Sequence, residues 1–234
     1  MSRKTGLNSN NKISDTMRDY LAEIYRLGHG KAWVSNTAIA DELDVSSPAA
    51  VRMVRRLDEL GLVEHVPYQG VKLLKTGEKV ALLSIRRHRL VERFLVNQLQ
   101  FGWHEVHDQA DSLQKGINQI LEDRIDMLMG YPKTCPHGDP IPTKDGVMPL
   151  LGDKPLKVVP PGSRGKISRV RERHEDKLQY MGSIGLVPGA KFELISRAPF
   201  DGPLRLKLDR NEQVIGHELA SSIWVISKPP IAKE

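Results

Sequence analysis

The sequence has little cysteine, no internal repeat and no long apolar run, and these shortages exclude several classes of protein. Cys135 is the one cysteine among 234 residues, which excludes an internal disulfide and a cysteine-rich zinc site. No segment reaches the roughly 18 apolar residues of a membrane span, and the N-terminus lacks the apolar core of a signal peptide. We therefore expect a cytoplasmic protein in a reducing compartment, with no membrane partner.

Aromatic residues are also scarce, at 5% of the chain, and they are too scattered to form a stacking platform for single-stranded nucleic acid. Positive charge is in excess: 35 Lys and Arg against 29 Asp and Glu give a net charge of +6 and a pI near 9.4. This balance favours a polyanionic partner. The length of 234 residues allows one large domain or two to three small ones, at roughly 100–200 residues per domain.

The most informative stretch begins with two short predicted helices. Residues 36–43 predict the first helix, with Asn36 as its cap. After a polar turn, a second helix is predicted with Ser47 at its N-cap and Pro48 at the first helical position, where the missing N–H costs nothing. Apolar residues recur along the second helix at helical spacing and are expected to face inward: Val51, Val54, Leu57 and Leu60. Two helices joined by a short turn indicate a helix-turn-helix.

A hairpin follows and completes a winged helix-turn-helix. Gly61 is expected to end the second helix, and strands are predicted over 62–66 and 71–74. Such units also occur as packing modules in proteins that never meet DNA, but cationic residues here lie where phosphates would be. The second helix is expected to enter the major groove of double-stranded DNA. The predicted DNA contacts are Asn36, Thr37, Ser46, Ser47, Pro48, Ala49, Arg52, Arg55, Arg56 and Lys72.

Helical segments are predicted on both sides of this motif. Residues 1–12 are expected to form a mobile basic arm, followed by a helix over 14–27. The helix predicted over 76–98 has more apolar surface than a lone surface helix needs, which indicates a dimer seam. Two shorter helices follow, over 105–115 and from 118 to about 129. The inward residues expected on the last of these are Ile120, Leu121, Ile125 and Leu128.

The C-terminal third is predicted to be a small β-domain after a proline-rich segment. Eight prolines between 132 and 161 argue against regular elements there. Short strands beyond it fit a small SH3-like barrel, and are predicted over 166–170, 191–196, 204–208 and 222–227. The fold class is therefore mainly α with a small β part. The predicted domains are 1–75 (winged helix-turn-helix), 76–145 (helical domain with the dimer seam), 146–161 (proline-rich linker) and 162–234 (SH3-like domain).

His88, Glu92 and His107 are the strongest candidate for chemistry. His88 and Glu92 are four residues apart on one helix and share a face, and His107 lies on the next helix. Two imidazoles and a carboxylate from adjacent helices can converge on one divalent transition metal. A His and a Glu at this spacing are also commonly a solvated pair. Asp111 and Gln114 share a face with His107.

Three segments resemble the diphtheria toxin repressor family. They are residues 86–93 (RRHRLVER), 106–108 (VHD) and 135–142 (CPHGDPIP), and the resemblance extends from about Asp15 to Ser227. The family consists of metal-dependent transcriptional repressors with iron-responsive and manganese-responsive branches. The resemblance therefore implies a winged helix, a helical dimerisation domain and a C-terminal SH3-like domain.

The resemblance also implies two metal sites. It assigns the family's ancillary site to His88, Glu92 and His107. Further ligands from the SH3-like domain match Glu172 and Glu175 best, with Asp176 as another possibility.

The family's primary site takes a ligand from the first helix, where Asp19 stands. A carboxylate there resembles the manganese branch, so Mn(II) is expected first and Fe(II) next. Asp111 occupies the place of a cysteine or glutamate ligand.

Gln114 and Lys115 depart from the family pattern. They replace a Glu-His pair that supplies two primary-site ligands. Gln114 still offers an amide oxygen, but a protonated Lys115 cannot ligate. Either the His88 site carries the sensing, which we prefer, or the Lys115 ammonium partly replaces the missing ion by pairing with Asp19 or Asp111.

The expected function is a homodimeric, metal-activated repressor that binds a pseudo-palindromic operator. One alternative is a winged-helix regulator whose DNA binding no longer depends on metal, and loss of the Glu-His pair favours it. The other is a metalloenzyme, but no nucleophile or general base accompanies the cluster, so we do not expect an enzyme. Cys135 and His137 are interpreted as parts of a rigid proline-flanked loop without a metal. The other histidines, His104 among them, are expected on the surface.

Overall fold

The computed structural model describes residues 13–209 and 211–228, which form two compact units. The first unit comprises the chain up to Arg87 together with Pro142–Met148, and the second comprises His88–Ile141 and the chain from Pro149 onward. The arm predicted at residues 1–12 lies outside the described residues. No helix in the described ranges is long and apolar enough to cross a membrane.

The first unit is a winged helix-turn-helix, as predicted. Its strands pair antiparallel, with Val63 opposite Leu73. Its elements are α1 (Asp15–Leu27), α2 (Asn36–Glu42), α3 (Ser47–Glu59), β1 (Val63–Val66) and β2 (Gly70–Leu73). Its core is built from apolar side chains of all of them, including Leu21, Ile39, Val54, Leu57 and Val71.

Two helices of this unit begin at positions that differ by one residue from the prediction. Ser35, and not Asn36, caps α2, and its hydroxyl accepts the N–H of Ala38 at 3.1 Å. Ser46, and not Ser47, occupies the N-cap position of α3, which makes Pro48 the second helical residue. Proline is tolerated there because the first-turn N–H groups of a helix have no intrahelical partner.

The buried stripe of α3 also differs at its two ends. Ala50, Val54 and Leu57 are each 0% exposed, whereas Leu60 is 39% exposed. Leu60 is the C-cap, so it lies beyond the regular helix and the helical spacing no longer fixes its direction. Ala50 continues the stripe one turn before Val54, and its small side chain lets α3 pack closely.

The helical part of the second unit follows the prediction in its elements but not in all of its faces. It contains the later part of α4 (Lys75–Leu99), then α5 (Val106–Gln114) and α6 (Gln119–Leu128). Asn118 caps α6, accepting the N–H of Leu121 at 3.0 Å. Ile125 of α6 is buried, but three residues expected inward are exposed in the single chain: Ile120 at 73%, Leu121 at 46% and Leu128 at 59%.

The SH3-like domain, residues 154–228, completes the second unit. Its antiparallel sheet has the order β3-β8-β4-β5-β6-β7. The strands are β3 (Lys154–Pro155), β4 (Arg164–Val170), β5 (Lys191–Arg197), β6 (Leu204–Leu208), β7 (Asn211–Ile215) and β8 (Ile223–Lys228). Two helices, α7 (Glu175–Ser183) and α8 (His217–Ser221), cover its core.

Several of these elements are absent from the sequence prediction. β7 was missed because it is an edge strand with mainly polar residues. α7 was missed because it buries only Leu178 and Met181, too few for a clear helical period. β3 and a 3-10 turn at Leu156–Val158 form inside the proline-rich segment, where no regular element was expected.

Candidate metal centre

Glu92 of α4 is the centre of a buried cluster in the second unit. Its Oε1 atom lies 3.0 Å from Nε2 of His88 and 2.7 Å from Nδ1 of His107. His88 lies one helical turn before Glu92 and therefore on the same face of α4, while His107 comes from the first turn of α5. The side chain of Glu92 is 1% exposed. The structure thus brings together the three residues that the sequence grouped.

A third imidazole, not expected from the sequence, faces the same carboxylate. His137 Nδ1 lies 3.7 Å from Glu92 Oε1, and the His137 ring stacks on His107 with centroids 4.4 Å apart. Cys135 Sγ lies 3.9 Å from His137 Nδ1. Both residues are buried. Cys135 and His137 were expected only to form a rigid loop, but in the structure both also line the cluster around Glu92.

The segment that carries His137 is fastened to β4 and α4. The N–H of Val170 donates to the His137 carbonyl at 2.9 Å. Arg169 contacts the Asp139 carboxylate at 3.2 Å, and Arg89 of α4 contacts the same carboxylate at 3.4 Å. The position of His137 could not be predicted from local sequence patterns, because it depends on contacts with β4, whose Val170 lies more than 30 residues further along the chain.

Asp111 approaches the cluster from the far side of His88. Its Oδ1 atom lies 3.0 Å from His88 Nδ1, the nitrogen that does not face Glu92. The same Oδ1 accepts a hydrogen bond from Gln114 Nε2 at 3.0 Å. A carboxylate at the outer nitrogen of a metal-binding histidine orients the ring and raises its basicity. Asp111 is therefore placed to orient His88, with Gln114 supporting it.

The charges of the cluster are set by burial and by mutual contact. Burial alone would raise the pKa of Glu92, but the imidazoles around it hold that pKa well below its usual range. Burial would lower the pKa of His88, but Glu92 and Asp111 outweigh it and raise that pKa. For His107 burial dominates and lowers the pKa, which favours the neutral ring. Burial opposes charge on all three groups, and the neighbouring groups outweigh it at Glu92 and His88.

The donor atoms of the cluster fit a divalent transition ion. Within the described part of the chain, His107 Nε2 is buried and has no hydrogen-bond partner, whereas His88 Nδ1 and His107 Nδ1 face carboxylates. Buried polar atoms normally have a partner, so this nitrogen is available to a ligand. Around Glu92, two sets of residues each offer one donor atom per residue, with those atoms within 4.8 Å of one another: His88, Glu92 and His107, and Glu92, Cys135 and His137. Imidazole, carboxylate and thiolate are the donors that first-row transition metals take.

The carboxylates predicted from the SH3-like domain lie elsewhere. Glu172 Oε1 accepts the N–H groups of Arg173 and His174 at 2.8 and 3.0 Å, immediately before α7. Glu175 is exposed at the start of α7 and groups with His104 and Glu105. Neither belongs to the His88 group, and their role as ligands stays a prediction. Asp176 is likewise exposed in the first turn of α7.

The residues predicted for the primary site are distributed over both units. Asp19 is half-buried on α1 in the first unit, and its role as a ligand stays a prediction. Lys115 is exposed and follows the last residue of α5. Asp111 is engaged by His88 and Gln114, as described above.

The helix predicted to read DNA presents its polar residues to solvent. Arg52, Arg55 and Arg56 are exposed on α3, and so are Ser46, Ser47 and Pro48 at its start, while Ala49 is half-buried. This exposure is what contact with a major groove requires.

On the neighbouring elements, Thr37 is exposed on α2, and Asn36 Nδ2 lies 3.4 Å from His65 Nε2 of β1. Asn36 is therefore partly engaged with the wing. Lys72 is exposed on β2, and its ammonium lies 5.9 Å from the centre of the Trp33 ring.

Comparison with known proteins covers nearly the whole chain. Three family models match successive segments: the iron dependent repressor N-terminal DNA binding domain over residues 12–71, the iron dependent repressor metal binding and dimerisation domain over 75–143, and the FeoA domain over 154–227. The iron-dependent repressor IdeR of Mycobacterium tuberculosis is 29% identical over 229 residues, which cover 92% of this chain and 98% of IdeR.

Two solved structures are similar along the same length. A manganese-dependent transcriptional repressor in complex with manganese is 35% identical, with a TM-score of 0.86 over 91% of this chain and 100% of that one. The manganese regulator SloR is 32% identical, with a TM-score of 0.77 over 91% of this chain and 98% of SloR. The likeness therefore includes the DNA-binding, dimerisation and FeoA segments together.

Proposed function

Because this chain belongs to the diphtheria toxin repressor family of metal-dependent, DNA-binding transcriptional repressors, we propose that a divalent ion held at Glu92 controls its affinity for DNA. The family consists of regulators and not of enzymes. The observation that carries the proposal is the convergence of His88 Nε2 and His107 Nδ1 on one oxygen of Glu92, at 3.0 and 2.7 Å.

The chain's own residues divide into ligands and orienting groups. His88, Glu92 and His107 are the proposed ligands, and His137 and Cys135 extend the donor set on the other side of Glu92. A bound ion would supply positive charge, and the residues that would hold it come from α4, α5 and the 135–142 segment. Asp111 orients His88 from its outer nitrogen.

The same contacts support sensing at this cluster over sensing at a primary site. Asp111 Oδ1 is engaged by His88 and by Gln114, so this oxygen is not held open for a separate ion. Lys115 replaces a ligand with a cation. We therefore retain the first of the two interpretations, in which the His88 site carries the sensing.

Mn(II) is the proposed ion and Fe(II) the next candidate. The solved relatives described above are a repressor in complex with manganese and a manganese regulator, whereas IdeR is iron-dependent. Sites made of imidazole and carboxylate bind several first-row ions, and availability in the cell selects among them. A cytoplasmic location follows from regulation of transcription.

A homodimer on double-stranded DNA is the proposed working form. Ile120, Leu121 and Leu128 of α6 are exposed in one protomer and would be covered by a second copy. A C2 dimer presents two copies of α3 to a pseudo-palindromic operator, with half-sites about one helical turn apart or a multiple of it.

Fluorescence anisotropy with DNA from the upstream region of the protein's own gene tests this proposal. Removing metal with a chelator should weaken binding about 5- to 150-fold, and adding back Mn(II) should restore it. His107→Gln should bind DNA weakly in both conditions. His174→Gln, an exposed histidine of the same unit, is the control and should behave as the natural sequence. Undiminished binding by the metal-free protein would overturn the proposal and favour the metal-independent regulator.

A further inference from the structure

We propose that the main-chain carbonyl of Trp103 is a positioning group that fixes which nitrogen of His137 faces Glu92. The inference rests on the proposed function, because it concerns how a residue of that centre is presented. His137 Nε2 lies 2.7 Å from the Trp103 carbonyl oxygen. A carbonyl oxygen can only accept, so Nε2 carries a proton, and in the neutral ring the lone pair is therefore on Nδ1.

The opposite edge of the His137 ring faces the cluster. Nδ1 is 3.7 Å from Glu92 Oε1 and 3.9 Å from Cys135 Sγ, and the ring lies within 9° of parallel to His107. The hydrogen bond at Nε2 and the stacking on His107 leave the ring one orientation. A histidine whose outer nitrogen donates to a backbone carbonyl is the arrangement found at metal ligands.

Trp103 extends this support to the SH3-like domain. Its side chain packs against the buried core of that domain. A Cβ placed on Gly182 of α7 would lie 3.0 Å from Trp103 Nε1, so the glycine leaves room for the indole. The position of α7 therefore sets the position of Trp103, whose carbonyl holds His137. The SH3-like domain acts on the centre through this contact, independently of the carboxylates of Glu172 and Glu175.

The tautomer of His137 tests the first step directly. Long-range ¹⁵N–¹H NMR of the metal-free, ¹⁵N-histidine-labelled protein should show His137 protonated at Nε2 and unprotonated at Nδ1. His137→Gln identifies the signal by its loss. Protonation at Nδ1 would overturn the positioning role while leaving the metal-binding proposal for His88, Glu92 and His107 intact.

Two substitutions of His137 separate anchoring from donation. Gln places its amide where Nε2 lies and can still donate to the Trp103 carbonyl, whereas Asn places its amide nearer to Nδ1. With Zn(II) as the probe in isothermal titration calorimetry, His137→Gln should bind about tenfold or more weakly. His137→Asn should retain more affinity than Gln because it keeps an oxygen donor on the side of Glu92. Full affinity in His137→Gln would overturn the assignment of Nδ1 as the donor.

Gly182→Val tests the link through α7. The added side chain should displace the indole, reduce the Nε2-protonated population of His137 and weaken Zn(II) binding by several-fold. Gln179→Val, at an exposed position of the same helix, is the matched control and should change neither measurement. An unchanged tautomer and affinity in Gly182→Val would overturn the role of the SH3-like domain. If Gly182→Val fails to fold, the tautomer of His137 measured in the unsubstituted protein still tests the role of the Trp103 carbonyl.

Discussion

The outer face of α3 and the cluster around Glu92 are both rich in charge, but they lie in opposite environments. Arg52, Arg55 and Arg56 are exposed, so each is screened by water and salt and is nearly independent of the others. His88 and Glu92 are almost wholly buried, and their mutual attraction offsets the free-energy cost of removing their charges from water. The outer face of α3 should therefore respond to substitution in small additive steps. The cluster should respond as a unit.

Glu92→Gln should have the largest effect and tests whether the cluster behaves as a unit. It removes the charge that three imidazoles face, and breaking a buried ion pair typically costs about 3–5 kcal/mol. The free energy of unfolding, measured by urea denaturation of the metal-free protein at fixed concentration, should fall by about 3 kcal/mol. Binding of Mn(II) should become undetectable in the same protein. Glu78→Gln, an exposed position in the first turn of α4, is the control. Equal stability of Glu92→Gln and the natural sequence would contradict the buried-pair argument.

The two regions also differ in how far the sequence could predict them. The helix-turn-helix is specified by contacts between near neighbours, so caps, periodicity and turn residues revealed it. The helix starts were displaced by one residue because Ser35 and Asn36 are adjacent and both are good caps, as are Ser46 and Ser47. Local chemistry predicts the element and leaves one residue of uncertainty at its boundary.

The cluster could be predicted only in part. His88 and Glu92 are four residues apart on one helix, so their meeting is a local property. His137 joins them because its segment is held by Val170 of β4, and no short-range pattern contains that contact. The resemblance to the repressor family assigned Glu172 and Glu175 of the SH3-like domain to the site, and this assignment stays a prediction. In the structure Glu172 Oε1 accepts two backbone N–H groups.

The exposed residues of α6 show a different limit of sequence reasoning. Periodicity identifies an apolar face and does not say whether that face is covered by the same chain or by a second copy. Ile120 and Leu128 fit the inward pattern and yet are 73% and 59% exposed in one protomer. Their prediction as core residues was wrong for the protomer.

Asp111→Asn should have an intermediate effect and sharpens the division between ligands and orienting groups. If Asp111 acts through His88, the affinity for Mn(II) should fall about 10- to 100-fold with little change in stability. The double variant with His88→Gln should then be no weaker than His88→Gln alone, because both changes remove the same contribution. Titration calorimetry of the four proteins measures this coupling. Fully additive losses would instead indicate that Asp111 binds an ion of its own.

Lys72→Gln should have the smallest effect, and it tests the additive behaviour expected of the exposed face. Lys72 is exposed on the wing, so its loss removes about one phosphate contact and should reduce the slope of log affinity against log salt by about one. The loss should be equal for all DNA sequences, since phosphates carry no base information. Lys207→Gln, exposed on β6 of the other unit, is the control. Anisotropy titrations over a series of salt concentrations, with and without Mn(II), give both slopes. If the slope of log affinity against log salt changes equally with and without Mn(II), the ion changes the overall affinity for DNA and leaves the contact of Lys72 with phosphate unaltered. A loss confined to one operator position would instead assign Lys72 to base recognition, and the contrast with the cooperative cluster would no longer hold.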